Sequence, residues 1–243
     1  MANWRKIVDN VIYTSDIILL IIDARDTWVS RNRDLEYKIG QLGKKYIYVI
    51  NKCDLLEEQD VRKIKMPNSI KISATLHSGT VRLLKKIIEL SKGKEATVGV
   101  VGLPNTGKSS VINALKGRKS APTSSISGFT KGLQKIRISK NIMMLDTPGV
   151  LPWGKRSSDD IELVAIGTRD AGKIKDADMA AALMIERFNG KIEEFFGVEK
   201  CEDTYDTLEN IALKKKILKK GGEPDAVRMG RRIIELCQRG DIR

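Results

Sequence analysis

The sequence has 243 residues, 41% of them hydrophobic, and a formal net charge of +13 at pH 7. This hydrophobic content is enough for a folded core and excludes a mostly disordered chain. The positive charge predicts a polyanionic partner, either nucleic acid or an anionic membrane surface. The three cysteines and the single histidine form no Cys-x-x-Cys or similar pattern, which excludes a disulfide framework and argues against structural zinc. The longest apolar run, residues 17–22, is too short to span a bilayer, so we expect a soluble cytoplasmic protein with no membrane partner.

The first ninety residues alternate between predicted helices and strands. Apolar residues at helical spacing predict helices over 1–14, 33–42 and 80–90, the last with Val81, Leu84, Ile87 and Ile88 on its apolar face. Runs rich in isoleucine and valine predict strands over 17–23, 45–50 and 69–73.

The same alternation continues to about residue 146 and then stops. We predict a strand over 97–101, a helix over 110–115 and strands over 133–138 and 142–145. Strands alternating with helices predict an α/β fold with a doubly wound, mostly parallel sheet. After residue 155 only helical patterns follow, over 158–168, 176–190 and 205–220, with a last helix opened by Pro224. The sequence therefore predicts a sheet domain over 1–156 and a small α-helical domain over 157–243.

A phosphate-binding loop is predicted between the strand at 97–101 and the helix that follows. Gly102-x-x-x-x-Gly107-Lys108-Ser109 is the P-loop pattern, in which backbone N–H groups surround an anion at a helix N-terminus. Lys108 would reach the β- and γ-phosphates, and the Ser109 hydroxyl would face Mg²⁺. The alternative is a flexible glycine turn without a ligand. The residues predicted to bind the nucleotide here are Asn105, Thr106, Gly107, Lys108, Ser109 and Ser110.

A base-recognition segment is predicted where the strand at 45–50 ends, in Asn51-Lys52-Cys53-Asp54. The Asp54 carboxylate would accept hydrogen bonds from N1–H and N2–H₂ of guanine, two donors that adenine lacks. Asn51 would tie this loop to the base or to the P-loop, and the Lys52 stem would cover one face of the base. Ser73-Ala74 would present a backbone N–H to guanine O6. An ordinary turn between a strand and a helix is the alternative for the Asn51 segment.

A second phosphate motif, Asp146-Thr-Pro-Gly149, follows the strand at 142–145. Asp146 would hold Mg²⁺, and the Gly149 N–H would meet the γ-phosphate. In the polar loop 124–132, Thr130 is the best candidate for a hydroxyl that joins Mg²⁺ only when γ-phosphate is present, although other Ser and Thr residues compete for this role. The predicted catalytic groups are Lys108, Thr130 and Gly149, and the predicted metal ligands are Ser109, Thr130 and Asp146. The alternative is an acidic turn.

The order of these motifs resembles that of circularly permuted GTPases that assist ribosome assembly, and specifically their YlqF/RbgA branch. Asn51-Lys-Cys-Asp54 precedes the P-loop, whereas in most GTPases it follows, and residues 91–97 look like the segment joining the old chain ends. Asp23-Ala-Arg25 with Ser30-Arg-Asn32 is similar to a further motif of that branch, and residues 219–228 are similar to its C-terminal signature. Ser127-Gly128-Phe-Thr130 departs from the usual Pro-Gly-x-Thr.

The resemblance implies a GTPase that requires GTP and Mg²⁺ and binds rRNA of the large ribosomal subunit. Val150 stands where many GTPases have a water-orienting Gln, so hydrolysis would be slow until a partner activates it. Asn105 is similar to an Asn that helps hold K⁺ in relatives, and we expect a monomer. The basic residues predicted to contact RNA are Lys215, Lys219, Lys220, Arg228 and Arg232.

Three alternatives stay open from the sequence alone. The basic residues at the C-terminal end would also suit an ordinary solvated face. The protein would also fit a GTP-gated RNA-binding module in which turnover is incidental. It would finally fit a GTPase that acts outside the ribosome, in RNA modification or at a membrane.

Overall fold

The computed structural model describes residues 2–116, 133–149, 163–164, 167–168 and 171–242. The chain divides into two compact units, Met1–Lys155 and Arg156–Arg243. Thr130, Val150 and most of the helix predicted over 158–168 lie outside the described residues. Within the described part of the chain, no helix is long and apolar enough to cross a membrane.

The first unit is built on six strands with helices between them. The strands are β1 Ile17–Asp23, β2 Lys45–Asn51, β3 Ser69–Lys71, β4 Ala96–Gly102, β5 Gln134–Arg137 and β6 Ile142–Asp146. The described helices of this unit are α1 Ala2–Thr14, α2 Arg33–Gln41, α3 Glu58–Lys63, α4 Thr80–Ser91 and α5 Lys108–Lys116, and short 3₁₀ turns cover Ala24–Asp26 and Cys53–Leu55.

The strands form one sheet in the order β3-β2-β1-β4-β6-β5. Every neighbouring pair is parallel except β5 with β6, which is antiparallel. This confirms the predicted α/β fold with a mostly parallel sheet. The P-loop strand β4 lies in the middle of the sheet beside β1, although β1 is the first strand of the chain and three α-helices and two strands separate them.

Both faces of the sheet are covered, which explains the continuous apolar runs of its strands. All seven residues of β1 are buried. Ile17, Leu19 and Ile21 belong to one hydrophobic cluster, and Ile18 and Leu20 belong to the cluster on the opposite face. Successive strand residues point to opposite faces, so an unbroken apolar sequence is what a strand in a doubly covered sheet requires.

Helix α4 buries only part of its predicted apolar face. Ile87 is fully buried and Leu84 packs against the core as predicted, whereas Val81 is 67% exposed and Ile88 is also exposed. The face that packs on the sheet therefore shares Leu84 and Ile87 with the predicted one but includes Leu83, which is fully buried, instead of Val81. Two apolar stripes are present in the sequence of this helix, and only the tertiary structure decides which one is covered.

The second unit is helical in its described part. Its helices are α6 Ala177–Phe188, α7 Lys191–Phe196, α8 Thr204–Lys214 and α9 Ala226–Arg239, with a 3₁₀ turn at Ala171–Lys173. Their apolar faces form one cluster of their own, in which Met184, Ile211, Met229 and Ile233 are fully buried. This unit therefore has a hydrophobic core independent of the sheet.

Helix α8 ends at Lys214, six residues before the predicted end at 220. Lys216 has a φ of 54°, and the Ile217 N–H donates to the Ala212 carbonyl, which closes the helix. The chain then turns through two glycines to an antiparallel bridge between Leu218 and Pro224. Helix α7 was not predicted because it has only six residues, too few for a visible apolar period.

Candidate functional site

The predicted motifs meet at the carboxyl edge of the sheet. Asp23 at the end of β1 is in register with Asn51 at the end of β2. Gly102 at the end of β4 is in register with Ile21, and Asp146 at the end of β6 with Val100. Ligands of open parallel sheets bind at this edge, next to the point where strand order reverses. Segments that are far apart in the sequence are thus assembled into one site.

The P-loop holds its lysine in a buried position. The Lys108 side chain donates from Nζ to the Leu103 carbonyl at 2.7 Å and to the Gly102 carbonyl at 3.3 Å. An ammonium group has three N–H donors, so these two bonds leave a donor for an anion in the loop. Burial lowers the pKa of Lys108 to about 8, against the opposing effect of the Asp146 charge. A bound phosphate would restore the charge that burial disfavours.

Asn51 connects the predicted base-recognition segment to the P-loop. Its Nδ2 donates to the Thr106 carbonyl at 3.0 Å, and its Oδ1 accepts from the Ala74 N–H at 3.1 Å. Gly107 allows this contact, since its φ is 91° and a Cβ there would lie 2.3 Å from Nδ2 of Asn51. The Asn51 amide is buried, and both its nitrogen and its oxygen are hydrogen-bonded. It therefore fixes the distance between the P-loop and the loop that follows β3.

Ser73-Ala74, predicted to present a backbone N–H to guanine O6, makes hydrogen bonds within the protein. The Ala74 N–H donates to Oδ1 of Asn51. Ser73 is buried and pairs through its backbone N–H and carbonyl with Ser78. In the structure these two residues therefore brace the Asn51 amide and the turn that follows β3.

Asp54 provides an unused acceptor near this junction. Its Oδ1 atom is buried and has no hydrogen-bond partner among the described residues. A buried carboxylate oxygen without a donor is costly, and it indicates a place where a ligand donor fits. This is the property that recognition of the N1–H and N2–H₂ groups of guanine requires.

A charged cluster that the sequence did not predict holds Lys52. Asp23 is fully buried at the end of β1, and its Oδ2 lies 2.9 Å from Lys52 Nζ. Its carboxylate also accepts two bonds from the Arg25 guanidinium, at 2.9 Å from Nε and 2.8 Å from Nη2. Burial would raise the pKa of the Asp23 carboxyl, but Lys52 and Arg25 together hold that pKa below its usual value. Asp23 thus positions the side chain predicted to cover the base.

The Asp146 carboxylate and the Ser109 hydroxyl are in direct contact. Ser109 Oγ donates to Asp146 Oδ2 at 2.7 Å, and Asp146 Oδ1 is buried with no partner in the described part of the chain. Burial raises the pKa of Asp146, although the Ser109 hydrogen bond and the Lys108 charge oppose this rise. Oxygen donors of this kind are the ligands that Mg²⁺ prefers, so the pair fits the predicted metal.

The turn after β6 lies directly on the P-loop. A Cβ added at Gly149 would lie 2.4 Å from Cα of Pro104. The preceding Thr147 is fully buried, and its hydroxyl donates to the Val100 carbonyl at 2.7 Å. Glycine is therefore required at 149 by the close approach of two backbones, at the place predicted for a γ-phosphate contact.

Two further predicted nucleotide ligands lie on the same loop and helix. Asn105 is half-buried in the P-loop with a left-handed φ of 58°, and Ser110 is in the first turn of α5. Thr130, predicted as the mobile metal ligand, is outside the described residues.

The basic residues predicted to contact RNA lie in the second unit and are all exposed. Lys215, Arg228 and Arg232 line one groove of about 640 Å³, which Lys219 and Lys220 do not line. The sequence predicted these five as a set, whereas the structure separates them into a groove and a neighbouring turn.

A scan against protein-family models finds a match over residues 97–218 to a family described as 50S ribosome-binding GTPase. The chain belongs to this family. The matched range starts at the P-loop strand, and the permuted order explains why the guanine motif at Asn51 lies before it. The predicted membership of a GTPase family is confirmed.

Curated relatives match along nearly the whole length of this chain. An uncharacterized GTP-binding protein of Methanocaldococcus jannaschii is 42% identical over 250 residues, which are 98% of this chain and 65% of the relative. Nucleolar GTP-binding protein 2 of Kluyveromyces lactis is 30% identical over 253 residues, which are 98% of this chain and 49% of the relative. The chain thus spans about half to two thirds of the length of these relatives.

Among solved structures, this chain is similar to YlqF from T. maritima in its GNP-bound form. The TM-score is 0.69 and the identity 25%, with 99% of this chain and 94% of that chain covered. A GDP-bound structure of the same protein gives the same TM-score with 96% of this chain covered. The resemblance to the YlqF branch is therefore confirmed for the fold and the family.

Proposed function

We propose that this protein binds and hydrolyses GTP and acts in assembly of the large ribosomal subunit by binding rRNA. The predicted sheet domain, residues 1–156, would be the G domain, and residues 157–243 would be the RNA-binding domain. The protein would act as a cytoplasmic monomer. The relatives support the ribosomal part of this proposal through their names: one is a nucleolar GTP-binding protein, and the family is described as ribosome-binding.

One observation carries the GTP-binding part of the proposal: Asn51 Nδ2 donates to the carbonyl of Thr106 in the P-loop. This bond joins the loop that would read a base to the loop that would hold phosphates, across 55 residues of sequence. A site that bound only phosphate would not require a hydrogen bond between the P-loop and a second loop. Beside it, the unpaired oxygen of Asp54 supports guanine rather than adenine as the base.

The phosphate end of the site would work through Lys108, Ser109, Asp146 and Gly149. Lys108 would neutralise charge on the β- and γ-phosphates, and the Gly149 N–H would meet the γ-phosphate. Ser109 and Asp146, with Thr130 when GTP is bound, would hold Mg²⁺, which when bound neutralises the charge that develops on the phosphate oxygens.

Hydrolysis by the isolated protein would be slow. Val150 follows Gly149, and an aliphatic side chain cannot orient an attacking water. We propose that the ribosomal partner completes the catalytic arrangement. Asn105 would take part in binding K⁺, so turnover in KCl would exceed turnover in NaCl at equal ionic strength.

Base recognition is tested by an Asp54→Asn variant. Xanthine carries a carbonyl where guanine has the N2 amino group, so an amide in place of the carboxylate should favour it. We expect the wild-type protein to prefer GDP over ADP and XDP, and the variant to lose GDP affinity and gain XDP affinity. Competition against a fluorescent GDP analogue measures all three. Equal binding of ADP and GDP, or an unchanged preference in the variant, would contradict the proposal.

The ribosomal part is tested by sedimentation and turnover. We expect the protein to co-sediment with large ribosomal subunits in the presence of a non-hydrolysable GTP analogue, and less so with GDP. GTP turnover should rise when subunits are added. Co-sedimentation without a rise in turnover would favour a GTP-gated binding module, and no co-sedimentation would favour a GTPase acting elsewhere.

A further inference from the structure

The groove in the second unit combines a cationic helix face with an exposed aromatic ring. It has a volume of about 640 Å³ and is open to solvent. Its charged lining is supplied by Lys215, Arg228, Arg231, Arg232 and Glu235, and two aromatic rings, Phe195 and Phe196, also line it. Four of the five charged residues are cationic and one is anionic, so the groove favours an anionic occupant.

One arginine in the groove has a hydrogen-bond donor without a partner. The Nε atom of Arg231 is buried and has no hydrogen-bond partner among the described residues. Arg228, Arg231 and Arg232 lie three and four residues apart on α9, so their guanidinium groups are on one helix face. The described residues provide no ion-pair partner for these three. A buried N–H without an acceptor, beside two further cations, is the arrangement that a phosphate group satisfies.

Phe195 provides an aromatic surface in the groove, which a phosphate group would not contact but an aromatic base would. Its side chain is 47% exposed, while its neighbour Phe196 is buried. The two rings meet edge to face with centroids 5.1 Å apart, a contact that stabilises this orientation of Phe195. A half-exposed aromatic ring beside a cationic face is a platform on which a nucleic-acid base stacks.

Glu235 is the one carboxylate of the groove, and it has no ion-pair partner in the described part of the chain. It lies one turn beyond Arg231 on α9 and would repel a phosphate. It would instead accept a hydrogen bond from an amino group on the edge of a base. The groove therefore offers separate groups for a phosphate, a base face and a base edge.

We propose that this groove binds an unpaired nucleotide of an RNA strand, with the base stacked on Phe195 and the flanking phosphate on the Arg231 face. The inference rests on the proposed rRNA binding and deepens it: the second unit would recognise a single-stranded or bulged position. A duplex holds its bases in the stack and cannot insert one into the groove at low cost.

The test uses the full chain and a fluorescein-labelled ten-nucleotide RNA, alone and annealed to its complement. Fluorescence anisotropy should show tighter binding of the single strand. The Phe195→Ala variant should bind the single strand about tenfold more weakly and the duplex unchanged, because only base stacking is lost. Phe195→Trp should restore the affinity. Tyr205→Ala, which removes an exposed aromatic of the same unit outside the groove, is the matched control and should bind like wild type.

The arginine face is tested by salt dependence. Arg231→Gln and Arg232→Gln should weaken binding of both RNAs and lower the slope of log affinity against log salt by about one each. Arg239→Gln removes an exposed arginine of the same helix that does not line the groove, and it should leave the affinity for the single strand within about twofold of wild type. Circular dichroism of each variant verifies that the helical unit is folded.

The outcomes separate this inference from the proposed function. If wild type binds RNA but Phe195→Ala binds the single strand equally well, the groove inference is overturned while rRNA binding stands. If no RNA binds at any salt concentration, both fail. If a poly-glutamate peptide binds through Arg231 and RNA does not, the groove is a site for an acidic protein segment, and the inference is likewise overturned.

Discussion

Replacing Asp23 by asparagine should destabilise the edge of the sheet that carries the nucleotide site. The substitution keeps the shape of the side chain but removes the charge that faces Lys52 and Arg25 at 2.8 to 2.9 Å. Breaking a buried ion pair from one side costs about 3–5 kcal/mol, because the opposite charge is left without compensation. Lys52 and Arg25 keep 22% and 13% of their side chains exposed and gain some hydration, so we expect the lower end, about 3 kcal/mol.

Hydrogen exchange with mass spectrometry measures this cost in peptides that cover β1 and β2 of the intact chain. The matched control is Glu58→Gln, which breaks the exposed ion pair with Arg62 on α3 and should cost less than about 1 kcal/mol. GDP affinity should fall in the Asp23 variant alone, because Lys52, which we propose covers one face of the base, is then no longer held in place. An effect of Asp23→Asn as small as that of the control would refute the assignment of Asp23 as a positioning residue.

Three further predictions concern the phosphate end and the loop junction. Because the pKa of Lys108 is lowered to about 8 and a bound phosphate raises it again, GDP binding at pH 8 should take up about half a proton, measured by calorimetry in two buffers of different ionisation enthalpy. At pH 6 this uptake should vanish, and uptake independent of pH would contradict the account. Asn51→Ala should cost about 2–4 kcal/mol in urea unfolding, since two buried hydrogen bonds are lost, and unchanged stability would count against the junction. Gly149→Ala should weaken a GTP analogue more than GDP, because the new methyl displaces the turn from Pro104; equal Kd changes for both would contradict a γ-phosphate contact.

The architecture of the sheet unit could be predicted because its patterns are strong and local. The run Ile17–Asp23 is apolar at every position before its terminal acid, and this identified a strand buried on both faces. The sequence did not predict which face of a helix is buried, and it did not predict the shortest helices. Helix α4 carries two apolar stripes, and the choice of Leu83 over Val81 is made by packing on the sheet.

The sequence predicts which residues lie at the candidate site better than it predicts which of them contact each other. Gly107, Lys108 and Asp146 follow from motif spacing, since phosphate chemistry fixes the residue types. The partner of Lys52 does not follow, because pairing of Asp23 with it depends on the register between β1 and β2. This register is known only once the sheet has been described. The sequence shows an acidic residue at the end of a buried strand, but only the parallel pairing of β1 with β2 shows that this residue meets Lys52.

The position of β1 in the sheet also governs what happens while the chain is synthesised. One edge of β1 pairs with β2, which leaves the ribosome soon afterwards, but the other edge pairs with β4, with Ile17 opposite Val98. Until β4 has been translated, a strand that is apolar up to its terminal Asp23 has one edge with open backbone hydrogen-bonding groups. Such an edge recruits other strands, so this permuted order creates a period of aggregation risk during translation that ends when β4 pairs with β1.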